Sequence, residues 1–251
     1  MKTLSLFSAS LSLALTLGAC SQESQLTQED YDDVATGVGA LVATPGGGGE
    51  AGTFDDALTI STTGSLEAGT GSGGIEVVIR AGLSYEYSAD CFSADGVALE
   101  ACDETADSAT VSVNWSGELD TLSYDASIAR ASEWTITGLQ GDTVELTGNG
   151  SFEVDSEFQS LYRDEVRSMH FSYEGSYAVQ LDTATHQAVG GSIRYSIEGE
   201  RFVRRGSNEK DIEFSVDAEV SFAADGTATL TLDGSHSYTI DVETGLVVSA
   251  S

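Results

Sequence analysis

The stretch Asp211-Ile-Glu-Phe-Ser-Val-Asp-Ala-Glu-Val-Ser-Phe222 decides how the rest of the chain is read. Ile212, Phe214, Val216, Ala218, Val220 and Phe222 alternate with Asp211, Glu213, Ser215, Asp217, Glu219 and Ser221. Successive side chains of a β-strand point to opposite faces, so this strict alternation predicts a long strand with one dry and one wet face. Ala224-Asp225-Gly226 then supplies turn chemistry, and Ala228, Leu230 and Leu232 resume the pattern. Asp233-Gly234 turns the chain again before Tyr238, Ile240 and Val242. The C-terminal third therefore reads as an antiparallel meander.

The same alternation extends upstream. Its apolar members are Ile193, Tyr195 and Ile197, then Tyr177, Val179 and Leu181, then Met169, Phe171 and Tyr173, with Glu174-Gly175 separating the last two groups. Further strands are marked by Phe152 and Val154, by Val144 and Leu146, and by Trp134 and Ile136. Leu122 to Ile128, Val111 to Trp115, Leu83 to Tyr87 and Ile75 to Ile79 complete the series. Gly138 to Asp142 and Thr147 to Gly150 read as turns. The expectation is an all-β fold, an antiparallel meander of about 11–12 strands forming a sandwich, a barrel or a curved sheet. No helical crossover interrupts the strands, which argues against parallel pairing. The stretch from Ser176 to Thr183 echoes that from Ser237 to Thr244, each a strand running into a polar turn, and is read as shared strand chemistry.

At the other end of the chain, Lys2 precedes an apolar run from Leu4 to Leu17, too short to span a bilayer but suited to export. The run ends in Leu17-Gly18-Ala19-Cys20. This motif resembles the lipobox of bacterial lipoproteins, which implies cleavage before Cys20 and lipidation of Cys20 with diacylglyceryl and an N-acyl chain. Each buried methylene contributes about 0.8 kcal/mol, so several acyl chains hold a protein on a bilayer almost permanently. By the sorting rule of enteric bacteria, Ser21 in place of Asp after the lipidated residue favours the outer membrane over the inner. The expected localisation is thus the cell envelope, with the membrane as partner through the anchor.

Thr27-x-x-Asp30 is a capping signal, with Leu26 before it and Tyr31 placed to staple against it. Tyr31, Val34, Val38, Leu41 and Val42 recur at helical spacing and predict one short helix over 28–43, either packed on the sheet or standing apart as a spacer. Pro45 and Gly46 to Gly49 end it. The expected organisation is a leader at 1–19, a lipidated tether with helix and Gly-rich joint at 20–52, and one β-rich domain at 53–251. Once Cys20 is used for lipid, Cys91 and Cys102 remain, and in an exported protein such a pair reads as a disulfide closed over the turn at Ser93-Ala94-Asp95-Gly96. Metal binding is the lesser alternative, because no third Cys or nearby His completes a zinc set.

The chain carries ten basic residues against 41 acidic ones, and loss of Lys2 with the leader leaves nine. Such a surface repels phosphate polymers and excludes a general nucleic-acid partner. Seven of the nine are Arg163, Arg167, Arg194, Arg201, Arg204, Arg205 and Lys210. Arg201, Arg204, Arg205 and Lys210 flank Gly206-Ser207-Asn208 and form the candidate ligand-binding group, suited to an anionic glycan. The plainer reading pairs them with Glu209 and Asp211. Gly69, Gly71 and Gly74 match a dinucleotide fingerprint in form only, since a strand follows where a helix is required. Acidic pairs such as Asp55 and Asp56, and the group Asp103, Glu104 and Asp107, read as a solvated repulsive face, weak calcium binding at the latter being the side reading.

His170, His186 and His236 are the only histidines, and no G-x-S-x-G elbow surrounds a serine. No catalytic residue, cofactor or metal is therefore assigned. The leading expectation is a non-enzymatic binding or structural module at a membrane surface, in contact with an anionic glycan or another envelope protein. A carrier of an apolar ligand in a β-lined cavity comes second, and a hydrolase third.

Overall fold

The computed structural model describes residues 26–43, 49–66, 76–80, 83–120, 124–159 and 165–249. The lipobox with Cys20, the joint at 44–48 and the Gly69–Gly74 stretch lie outside them. Two helices, α1 (Gln28–Val42) and α2 (Glu50–Thr63), precede eleven strands. These are β1 (Glu76–Arg80), β2 (Leu83–Phe92), β3 (Ser108–Asp120), β4 (Tyr124–Thr137), β5 (Thr143–Gln159) and β6 (Glu165–Asp182), followed by β7 (Ala188–Arg205), β8 (Asn208–Phe222), β9 (Thr227–Leu232), β10 (His236–Asp241) and β11 (Val247–Ser249). Each strand pairs with its neighbours in sequence, so the eleven form one antiparallel sheet in the order β1 to β11. Among the described residues the end strands do not pair with each other, and the meander stays open rather than closing into a barrel.

The deciding stretch behaves as its pattern requires. In β8, Ile212, Val216, Ala218, Val220 and Phe222 are buried while Asp211, Glu213, Ser215, Asp217 and Ser221 are exposed. The hairpins are closed by aspartates that bond the backbone and hydroxyl of a nearby threonine: Asp182 with Thr185, Asp225 with Thr227, and Asp241 with Thr244. Such Asx turns satisfy backbone groups that would otherwise be orphaned. The echo between the two Ser-Tyr segments thus reaches into their turns, but shifted: Asp182 corresponds to Asp241, and His186 (φ 57°) occupies the left-handed position that Gly245 (φ 73°) fills in the other.

One expected turn, Thr147 to Gly150, lies within β5, and Glu174-Gly175, which separates two groups of the pattern, lies within β6. A Cβ on Gly148 would strike the backbone of Glu133 and Trp134, and one on Gly150 would strike the Ser132 hydroxyl. One on Gly175 would come within 3.1 Å of the Tyr195 ring. The glycines mark close approach rather than reversal, so β5 to β7 run uninterrupted for 17, 18 and 18 residues.

The helix at 28–43 is α1, with Thr27 and Asp30 closing the capping box. It packs on the sheet: Val34, Val38 and Val42 are buried, Tyr31 reaches Asp233 and Gln28 reaches Tyr238. The second helix, α2, was not anticipated, and it runs across the boundary set at residue 52. It is buried nearly all round, including Glu50, Thr53, Asp56 and Ser61, and therefore has no amphipathic stripe to read. Thr53, Ser61, Thr62 and Thr63 donate back to carbonyls one turn earlier, which lets a hydroxyl-rich helix enter the core without orphaned donors. Both helices join the inner face of the sheet in one hydrophobic core. Neither is long and apolar enough to cross a membrane.

Candidate functional site

At the centre of the inner face stands Arg130 of β4, opposite Glu50 in the first turn of α2, with Nη2 to Oε2 at 2.5 Å and both side chains about 1% exposed. Tyr177 of β6 and Tyr195 of β7 donate to the other carboxylate oxygen at 2.8 and 3.0 Å. Arg130 also donates to Ser132 and lies over the Trp134 ring. Burial works most strongly against the Arg130 charge, but Glu50 together with Tyr177 and Tyr195 outweighs it, and the pKa is raised. Burial, then the Glu50 charge, pushes both tyrosines well above the usual phenol range. The cluster is closed to solvent and clamps the start of α2 to β4, β6 and β7. Nothing in the local sequence joins Glu50 to Arg130, 80 residues away.

The four basic residues singled out in the sequence sit at the outer end of the β7–β8 hairpin. Arg201 is held by two carboxylates of α1, Asp30 at 3.0 Å and Asp33 at 3.3 Å. Asp30 is held below its usual range first by its Thr27 bonds and also by Arg201 and Lys210. Arg204 stands in register opposite Glu209, Arg205 opposite Asn208, and Lys210 opposite Val203. The group is therefore split. Arg201 is taken up by α1, whose packing on the sheet the pattern left open, and Arg205 and Lys210 lie at the exposed tip.

Cys91 and Cys102 form the expected disulfide, with Cα atoms 5.2 Å apart and both residues buried. The histidines are dispersed: His170 pairs with Asp155 at 2.7 Å, His186 with Asp55 at 2.5 Å, and His236 stacks on Tyr31. Among the described residues, no three His, Cys, Asp or Glu side chains converge in a way that could hold a metal ion. Asp103 bonds Thr105 in a turn of its own.

A broad concavity lies on the other face of the sheet. It is an open trough of about 1080 Å³ crossing β3 to β9. One cross-strand row supplies Ser112, Glu133, Asn149, Ser176, Arg194 and Glu219, and the next supplies Asn114, Ala131, Ser151, Glu174, Ser196 and Asp217. With strands about 4.8 Å apart, six strands give each row a length of roughly 24 Å. Gly150 and Gly175 also line the trough. A Cβ on either would point to the inner face, toward Ser132 and the Tyr195 ring. Arg194 is bridged to Glu219 at 2.7 Å, and Glu133, Glu174 and Asp217 leave the trough acidic. The sequence marked these residues only as the wet half of each strand; the cross-strand register makes them neighbours.

Compared with protein families, with curated proteins and with solved structures, the chain matches none.

Proposed function

We propose that the protein is a lipid-anchored, non-enzymatic module of the bacterial envelope that holds a polar polymer in the trough on its wet face. The observation that carries this reading is the trough: two parallel rows of hydroxyl, amide and carboxylate groups, long enough to track an extended chain. Its surplus of carboxylates favours a ligand rich in hydroxyl and amino groups, such as an amino-sugar strand, over the anionic glycan suggested by the arginine cluster. Support for a binding module over a carrier comes from the inner face. Its aromatics pack on α2 and on each other, Trp134 and Tyr177 edge-on to Phe54 at 5.4 and 6.2 Å, instead of facing a ligand space.

Titration calorimetry of the full chain with partly deacetylated chitin oligosaccharides tests the proposal. Binding should weaken roughly tenfold or more in Glu174→Lys and Asp217→Lys, about 1.4 kcal/mol or more. No binding to the unaltered protein, or binding to both variants as tight as to the unaltered protein, overturns it. Attachment is tested separately, since Cys20→Ala should free the protein from membrane pellets, and continued sedimentation defeats the anchor.

A further inference from the structure

We infer that the outer end of β6 to β8 is a docking surface for the anionic lipid headgroups of the bilayer that carries the anchor. The protein then stands on that membrane by its basic end, with its acidic body and its trough held away. The inference rests on the lipid attachment proposed above.

Three successive rows of the inner face change character toward that end. The row Val154, Phe171, Gly199 and Phe214 is apolar. The next combines Met169, Arg201 and Ile212, and the one after it combines Arg167, Val203 and Lys210. Arg205, opposite Glu165, closes the tip. Glu209, Asp211 and Glu213 alternate onto the opposite, wet face. Met169 is 38% exposed, and Arg167, Arg205 and Lys210 are exposed beyond it. Apolar groups giving way to cations over two rows match the boundary between acyl chains and headgroups, where long basic side chains reach the phosphate layer.

Charge makes this end the one that can approach. Residues 163–210 carry seven basic and seven acidic side chains, whereas the rest of the mature chain holds all of its excess of acid. An anionic surface repels every other approach.

The path of the tether points the same way. The first turn of α1 lies against Arg201 through Asp30 and Asp33, so the chain leading back from Leu26 starts at this end of the inner face. Cys20 lies six residues before Leu26, a reach of about 20 Å when extended. From Arg201 to Arg205 the strand advances about 13 Å. An anchor at Cys20 and the basic tip therefore reach the same plane.

The test uses the full lipidated chain in vesicles of phosphatidylcholine with or without phosphatidylglycerol. Acylation occupies Cys20 and the disulfide occupies Cys91 and Cys102, so a fluorophore on Ser207→Cys, at the β7–β8 tip, or on Asp225→Cys, at the β8–β9 turn, is the sole label. With phosphatidylglycerol present, headgroup nitroxides should quench the Ser207→Cys probe far more than the Asp225→Cys probe. High salt, or Arg205→Glu with Lys210→Glu, should reduce tip contact roughly tenfold while the protein stays on the vesicles. Equal quenching at the two positions, or tip quenching indifferent to phosphatidylglycerol and to charge reversal, overturns the docking. Failure to remain on phosphatidylcholine vesicles overturns the anchor instead, and the inference with it.

Discussion

The strands β4 to β8 pass through two regions with one sequence pattern and two outcomes. Beside α2, their inner-face residues Trp134, Ile136, Leu146, Val179 and Ile193 are fully buried. Toward the outer end, Ile128, Phe152, Phe171 and Phe214 follow the same alternation yet are only half-buried, and Met169 is exposed. Alternation states which face is dry if something covers it. What covers it is decided by elements elsewhere in the chain. The half beside α2 is accordingly the tighter core, while the outer half is covered in part by the first turn of α1.

The sharpest break of this contrast comes from truncating one aromatic in each region. Trp134→Ala should cost about 4 kcal/mol in urea unfolding and Phe171→Ala no more than about half of that; equal losses would mean the outer half is as well packed as the inner. Next, Arg130→Met strands the Glu50 carboxylate in the core and should cost about 3 kcal/mol, most of it recovered when Glu50→Gln is added. A loss below about 1 kcal/mol would show that the pair does not hold α2 in place. Replacing Cys91 and Cys102 by serine should lower stability by about 2–3 kcal/mol, as expected for the 11-residue separation that the bridge closes.

Smaller effects follow from titration. Burial raises Tyr173 to about 12. Its folded-state pKa exceeds the unfolded value, so its contribution is complete below pH 10 and lost as the pH climbs through about 12. Tyr173→Phe should flatten the alkaline limb of the stability curve, and an unchanged limb would place the effect on other tyrosines. Threonine bonds hold Asp182, Asp225 and Asp241 below the ordinary carboxylate value of 3.8, the opposite case. Their contribution is present above that value and lost as acid carries the pH through the depressed pKa. Thr227→Val should slightly soften the acid limb, measured by unfolding between about pH 5 and pH 3.

Much of this was written locally. The capping box of α1, the faces of β8 to β10 and the Cys91–Cys102 bridge each depend on residues near one another in sequence, and the pattern revealed them. The glycines of β5 and β6 misled because a strand glycine that admits a neighbouring ring has the same letter as one that reverses the chain. α2 escaped for a different reason. A helix buried on nearly all sides needs no polar stripe, and its hydroxyls bond its own carbonyls. The trough escaped because pattern reading assigns a face to each residue but no neighbour across strands.

By itself, the sequence determined an all-β meander with one dry face, a capped first helix, a bridged loop and a cluster of cations in an acidic chain. These follow from side-chain alternation, turn chemistry and counting, which act within a few residues. Only the tertiary structure decided that the sheet stays open, that α2 fills its inner face through Glu50 and Arg130, and that Arg201 answers to α1. It also decided that the wet-face residues of β3 to β9 line up in a trough on the far side. Those outcomes depend on register and on contacts between distant segments, where the free energy is set by what meets across space.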